Sequence, residues 1–184
     1  QTVSYTVSAE DGGTVSISYA RKWFSLTYDL NAADAGWVSD PGVKQYRVGA
    51  VLKLLTQSYV KRAGYTFDGW YTDKTCTSGN EFTATTMPAE DLTLYAKWLP
   101  NDINYFLVLR KEGADGRWSQ TTETRTGKTG ETVAIDPAEF LTEAEKGIYT
   151  IPETVQYTVS AEDGGTVSIS YARKQFSLTY DLNA

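Results

Sequence analysis

The chain has 184 residues, and 17 basic against 23 acidic side chains give it a net charge of −6. Nucleic-acid binding relies on clustered lysine and arginine, but the densest basic run is Lys61-Arg62, so we expect no nucleic-acid partner. No stretch approaches the roughly 20 apolar residues of a membrane helix, so we expect no membrane insertion. One cysteine and no histidine rule out an internal disulfide and remove the commonest general base and zinc ligand. We therefore expect no cofactor, no metal and no enzymatic activity.

The first 32 residues return at the other end of the chain. Residues 1–32 and 153–184 differ at three positions only, at an offset of 152. A long period with so little drift is typical of a tandem array. The sequence therefore predicts that neighbouring repeats of the same chain are its first partners.

The duplicated stretch is predicted to form a β-hairpin, at residues 5–19 and again at 157–171. Apolar residues alternate with Thr and Ser on both sides of an Asp-Gly-Gly turn, which is the period of a half-buried strand. In the second copy the apolar face consists of Tyr157, Val159, Val167, Ile169 and Tyr171. We expect the first copy to contact its own chain far less than the second, because residues 1–22 are assigned as the closing hairpin of a truncated preceding module.

Between the two copies the chain divides into two modules of related plan, residues 23–98 and 99–174, and residues 175–184 begin the next repeat. Each opens on a strand and closes on an alternating strand with Tyr-Ala and a basic residue. Gly49 and Gly64 of the first module have counterparts at Gly130 and Gly147 of the second. The fold class predicted is α+β, mainly β: tandem β-grasp-like modules, each a small sheet with one short helix, joined end to end.

The clearest helix is predicted over residues 136–147. Asp136 would cap it, Pro137 suits its first position, Glu139 would complete a capping box, and Gly147 would end it. The corresponding helix of the first module would begin at Thr56.

Two motifs of the first module carry a family resemblance. Residues 64–73, GYTFDGWYTD, and 87–98, MPAEDLTLYAKW, resemble the Listeria–Bacteroides repeat, the B-repeat type of internalin B, and residues 26–31, LTYDLN, resemble its opening strand. The resemblance covers about residues 23–98. It implies a β-grasp-like fold carried in tandem on a secreted bacterial surface protein, located outside the cell, either wall-anchored or released.

Motifs that would carry chemistry are weak. Residues 126–130, TGKTG, contain Gly-Lys-Thr, but a phosphate loop needs a glycine where the chain has Thr122, so a polar turn is the favoured interpretation. Cys76 is interpreted as an exposed loop thiol, with an intermolecular link or a reactive nucleophile as the alternative. Lys53, Lys97, Asn31 and Asn104 are candidates for a Lys–Asn isopeptide bond, and no spacing singles out a pair.

Two tryptophans in turn-like, polar surroundings are the candidate ligand contacts. Trp37 lies in DAGWVSD and Trp118 in DGRWSQ, and exposed rings can stack on sugars or anchor a protein. The favoured alternative is that each ring covers an edge of its own module. Two functions follow: a stalk or spacer repeat that projects the distal binding domain of an adhesin, and a repeat that binds a host glycan or protein by multivalency.

Overall fold

A computed structural model describes residues 16–180. The described chain is mainly β, which confirms the coarse fold class. Eleven strands are present in the described residues: β1 Trp23–Asp29, β2 Gly36–Trp37, β3 Lys44–Arg47, β4 Val60–Lys61, β5 Tyr65–Tyr71, β6 Leu92–Pro100, β7 Asp102–Glu112, β8 Trp118–Lys128, β9 Thr132–Ile135, β10 Val155–Thr158 and β11 Gly165–Tyr171. The helical elements described are short: 3-10 helices Gln57–Tyr59 and Pro137–Phe140, and α1 Glu143–Ile148.

The first half is built on a four-stranded sheet in the order β3-β1-β6-β5. Its first and last strands, β1 and β6, are parallel neighbours at the centre, with Leu26 opposite Leu92 and Tyr28 opposite Leu94. The outer strands β3 and β5 are antiparallel to them. Parallel neighbours need a crossover connection, and here the chain crosses between β3 at one edge of the sheet and β5 at the other.

The second half repeats the central arrangement. Its first strand, β7, is parallel to its last strand, β11, with Leu107 opposite Val167 and Leu109 opposite Ile169. The long β8 flanks β7 in antiparallel orientation, and β9 and β10 form a separate two-stranded sheet. In both halves, therefore, the strand that opens the segment and the strand that closes it lie side by side.

Each half has its own cluster of buried hydrophobic side chains. The cluster of the first half contains Leu26, Leu52, Val60, Trp70, Met87, Leu94 and Ala96. That of the second half contains Ile103, Tyr105, Leu107, Leu109, Ile135, Leu141, Tyr149, Val159, Val167, Ile169 and Tyr171. Burial of such side chains is the main favourable contribution to folding, so each half has a separate source of stability.

One backbone arrangement occurs in both halves and supports their related plan. Gly49 and Gly130 have positive φ angles of 75° and 79°. The Gly49 amide donates to Met87 O at 2.8 Å and the Met87 amide to Ala50 O at 2.9 Å; the Gly130 amide donates to Val159 O at 2.9 Å and the Val159 amide to Glu131 O at 2.8 Å. Met87 and Val159 are both buried. Gly49 and Gly130 therefore occupy equivalent places. The second match is not confirmed, because Gly64 has positive φ whereas Gly147 lies inside α1.

The prediction of a hairpin at residues 157–171 is wrong. Both strands form, and Val167, Ile169 and Tyr171 are buried on one face as the alternation predicts. However, β10 pairs with β9 and β11 pairs with β7, so the strands lie in different sheets. The local pattern identified the strands but could not identify the strands with which they pair, which lie 20 or more residues away in the sequence. Long-range pairing prevailed over the nearby turn.

The single helix predicted over 136–147 is also corrected. Asp136 does cap, accepting from the Ala138 amide at 2.9 Å, but its segment is a 3-10 turn that ends at Phe140. A new N-terminus follows at Thr142, where the capping box joins Thr142 to Glu145, and α1 continues through Gly147 to Ile148. In the first half, Thr56 precedes a 3-10 turn and makes no side-chain cap.

The two copies of the duplicated stretch have different surroundings where both are described. Ile17 and Tyr19 are 58% and 92% exposed, whereas their counterparts Ile169 and Tyr171 are 2% and 0% exposed. This is the difference that we expected between the copies. The rest of the first hairpin, residues 1–15, lies outside the described residues.

Candidate functional site

The two candidate tryptophans have different environments. Trp37 pairs through β2 with β4, and its ring stacks on Trp70 with centroids 6.4 Å apart; it packs against the first hydrophobic cluster. Trp118 opens β8 and is 50% exposed. The structure does not bring these rings together, since each is associated with a different half. Of the two, Trp118 offers the more accessible apolar surface.

The most developed structural feature at a boundary is the connection between the halves. Asn101 is the single residue between β6 and β7. Its amide donates to Gly64 O of the first half at 2.9 Å, and its carbonyl accepts from the Thr129 amide of the second half at 3.0 Å. The Asn101 side chain accepts from Thr66 Oγ1 at 2.7 Å. One residue is thus hydrogen-bonded to both halves, which limits how far they can rotate about it.

The chain around Gly64 approaches the second half closely. Gly64 has φ +73°, and a Cβ placed there would lie 2.7 Å from Thr129 Cγ2 and 2.8 Å from Ala161 Cα. Thr129 is buried, with an exposed fraction of 8%. Only a residue without a side chain allows this approach, because such distances are shorter than van der Waals contact.

Tyr65 continues the same contact. Its hydroxyl donates to Thr129 O at 3.4 Å, and the Arg62 guanidinium lies 3.6 Å from its ring centroid. Arg62 in turn forms an ion pair with Asp34 at 2.9 Å. We call Gly64, Tyr65, Asn101, Thr129 and Ala161 the joint. Sequence reasoning missed Asn101 and Thr129 because both act mainly through the backbone; Gly64 was singled out as a counterpart of Gly147 and not as a contact between the halves.

Cys76 is half-buried rather than exposed. It lies beside an open pocket of about 290 Å³ whose lining includes Asn31, Lys74 and Lys97, and Asn31 Nδ2 donates to its Sγ at 3.4 Å. Burial raises the pKa of the Cys76 thiol above its ordinary value. A raised pKa lowers the thiolate fraction and therefore the nucleophilicity at neutral pH.

Three of the four candidates for an isopeptide bond, Lys97, Asn31 and Asn104, have other partners. Lys97 Nζ is 3.2 Å from Asp68 Oδ2 and donates to the Tyr71 hydroxyl at 2.9 Å. Asn31 donates to Lys74 O, and Asn104 Oδ1 accepts from Thr126 at 2.8 Å. These contacts do not favour any lysine–asparagine pair among these residues.

The carboxylate with the largest structural role in the helical segment is Glu145. It accepts from Lys111 at 2.7 Å and from the Thr142 amide at 2.9 Å. The Lys111 bond, followed by the Thr142 amide, lowers the pKa of Glu145 to about 2. It therefore caps and fastens α1 to β7 as a charged group.

Within residues 16–180, no group of three or more histidine, cysteine, aspartate or glutamate side chains is placed to hold a metal ion. None of the helices among these residues has the length and apolar composition needed to cross a membrane.

Comparison with known proteins assigns the first half. No solved structure matches this chain significantly. The family model that matches describes a repeat domain typical of bacterial surface proteins. Its match begins one residue into β1 and ends three residues before the end of β6, so it covers nearly all of the first sheet. Residues 24–97 match the Listeria-Bacteroides repeat domain, which confirms the family inferred from the sequence for this segment.

Proposed function

We propose that this chain is a stalk segment of a bacterial cell-surface adhesin, exposed outside the cell, whose modules hold a distal binding domain away from the surface. Its two modules, residues 23–98 and 99–174, are β-grasp-like: in each, the first and last strands are parallel neighbours in one sheet, and a helical segment precedes the later strands. The role is mechanical and not catalytic. Neighbouring modules of the same chain are its main partners.

The observation that carries this proposal is the joint. A flexible tether is rich in Gly and Ser and makes few contacts, whereas a single residue, Asn101, separates β6 from β7 and bonds to both halves at 2.9 and 3.0 Å. Units that contact only their immediate neighbours in this way build an elongated solenoid or rod. A length that increases with each repeat is what a stalk requires.

Small-angle X-ray scattering on chains with one, two and three 152-residue periods tests the proposal. The maximum dimension should rise linearly with the number of periods. A dimension that levels off, or that follows the square root of length expected for a flexible chain, would contradict a stalk.

The second candidate function is binding of a glycan or protein by repeats that act together. It is favoured by the exposed Trp118 ring, because exposed aromatic rings are common anchors in recognition. Titration of host or mucin glycans against the wild type, Trp118→Ala and Trp37→Ala would test it. A signal lost only in Trp118→Ala would support binding, and equal signals in all three would remove it.

A further inference from the structure

The joint at Asn101 has two partial counterparts at the ends of the repeated stretch. Residues 19–22 and 171–174 have the same sequence, Tyr-Ala-Arg-Lys. The first copy precedes β1 and contacts the module after it. The second copy follows β11 and contacts the module before it.

The second copy makes the contacts to the module before it, which we call the upstream half of a joint. Tyr149 pairs with Arg173 in an antiparallel bridge, and the Lys174 amide donates to Ile148 O at 2.8 Å. This repeats the internal joint, where Tyr65 pairs with Pro100 and the next amide, that of Asn101, donates to Gly64 O at 2.9 Å. In addition, the Arg173 amide donates to Glu112 Oε2 at 2.8 Å.

The first copy supplies the downstream half. The Lys22 carbonyl accepts from the Val48 amide at 3.0 Å, just as the Asn101 carbonyl accepts from the Thr129 amide. Val48 and Thr129 each precede a glycine with positive φ, Gly49 and Gly130. The Arg21 guanidinium also donates to Val48 O at 2.9 Å.

The two halves of this joint use different atoms. The upstream hydrogen bonds use the arginine amide, the lysine amide and the lysine Nζ, which donates to Lys146 O at 2.9 Å. The Arg173 guanidinium lies 6.0 Å from the Tyr149 ring centroid, a contact with the ring face that uses no hydrogen-bond acceptor. The downstream contacts use the lysine carbonyl and the arginine guanidinium. One Arg-Lys pair can therefore make every bond at once, with no donor or acceptor used twice.

From this agreement we infer that Arg173 and Lys174 are the docking surface for a further copy of residues 23–98. In the completed joint, one residue of the added copy occupies the place of Val48. Its amide donates to the Lys174 carbonyl, and its carbonyl accepts from the Arg173 guanidinium. The occupant is a second copy because residues 176–184 repeat residues 24–32 without change. In this chain Phe176, Leu178 and Tyr180 are 82%, 75% and 78% exposed, whereas Leu26, the counterpart of Leu178, is 0% exposed.

The inference rests on the proposed function, since it names the contact that would connect one period to the next. It also makes the two kinds of joint equivalent: Asn101 within a period and Lys174 between periods each donate to the module before and accept from the module after. The arginine adds a charge-assisted bond at the second joint only.

The test uses the full chain lengthened so that residues 175–184 continue into a further copy of residues 33–98. Amide hydrogen exchange is followed at Val48 and at its counterpart in the added module. We expect the two amides to exchange at rates within about threefold of each other, because each would make the same bond to a lysine carbonyl. Exchange of the counterpart at the rate of a freely exposed amide would overturn the inference.

Arginine variants provide a matched comparison. Arg21→Ala should speed exchange at Val48 about fivefold, the effect of one lost hydrogen bond, and Arg173→Ala should do the same to the counterpart amide and leave Val48 unchanged. An effect of Arg21→Ala at Val48 without any effect of Arg173→Ala at the counterpart would reject Arg173 as part of the docking surface.

Scattering from the same lengthened chain separates this inference from the stalk. Length that grows linearly while the counterpart amide exchanges freely would retain the stalk and reject this docking surface. A protected counterpart amide in a chain that does not lengthen linearly would retain the docking surface and reject the stalk.

Discussion

Gly64 is the position where one backbone conformation and one close approach coincide. Alanine in the left-handed region costs about 1–2 kcal/mol by itself, and here its Cβ would also meet Ala161 Cα at 2.8 Å. A backbone atom cannot rotate away, so the halves must separate or the chain must shift. We expect Gly64→Ala to lower the free energy of unfolding, measured with urea, by about 3 kcal/mol.

Gly116 provides the control for this substitution. Its φ of +76° matches that of Gly64, but nothing lies within 4 Å of the added Cβ. Gly116→Ala should therefore cost only about 1–2 kcal/mol, the conformational part. Equal losses in the two variants would show that the contact between Gly64 and the second half contributes nothing.

The lowered pKa of Glu145 predicts that the stability of the fold depends on pH. Its pKa is lowered from 4.5 to about 2, first by Lys111. A carboxyl whose pKa is lower in the folded chain stabilises it above the unfolded pKa of 4.5, and the contribution is lost as the pH falls through about 2. Urea midpoints measured between these limits should fall less steeply in Glu145→Gln than in the wild type.

Lys111→Met tests the cause of this effect. The Lys111 hydrogen bond is the first cause of the lowered Glu145 pKa, so Lys111→Met should also flatten the profile. The double variant should be no flatter than Glu145→Gln alone. The pair of Lys111 and Glu145 would have no special role if Lys111→Met kept the slope of the wild type.

At the scale of elements, the repeated strand gives a comparison of one sequence in two environments. Leu26 in β1 is 0% exposed, whereas Leu178, its counterpart at an offset of 152, is 75% exposed. We expect Leu26→Ala to cost about 3 kcal/mol by loss of transfer energy and creation of a cavity, and Leu178→Ala to change stability by less than about 0.5 kcal/mol. Urea unfolding of both variants provides the measurement. A large loss in Leu178→Ala would mean that residues 176–180 pack in the chain, contrary to their assignment as the start of the next repeat.

The same elements show which parts of the fold the sequence could predict. Alternation placed the buried face of β11 correctly at Val167, Ile169 and Tyr171, because a strand's two faces depend on local order alone. It could not show that β11 lies beside β7, since that choice depends on how well distant strands fill one core. The prediction of a single helix was wrong for a local reason: the capping pair Thr142 and Glu145, not Asp136 and Glu139, starts the α-helical turn.

The candidate site follows the same distinction. Gly49 and Gly130 could be matched by comparing the two modules, and both have the positive φ that selects glycine. Asn101 could not be recognised, because its role uses an amide and a carbonyl that every residue other than proline possesses. The sequence also could not predict that Trp37 and Trp118 differ in exposure. Both lie in similar polar sequences, and only tertiary packing places Trp37 against Trp70.

At the scale of the whole molecule, two separate cores connected through the joint should unfold together only if the joint couples them strongly. The tryptophans allow a direct test, because four of the five, Trp23, Trp37, Trp70 and Trp98, lie in the first half and Trp118 alone lies in the second. Tryptophan fluorescence therefore reports mainly on the first core, and far-ultraviolet circular dichroism reports on both. We expect the two urea curves of the wild type to coincide.

Weakening one core should separate the curves in a predictable order. Ile169→Ala removes a buried side chain of the second cluster, at a cost of about 3 kcal/mol, so circular dichroism should begin to change before fluorescence. Leu26→Ala weakens the first cluster and should make fluorescence change first. Gly64→Ala, which forces the joint apart, should separate the curves with neither core altered. Wild-type curves that already differ would mean that the bonds of Asn101 are too weak to couple the halves, and a chain with uncoupled halves would bend at its joints.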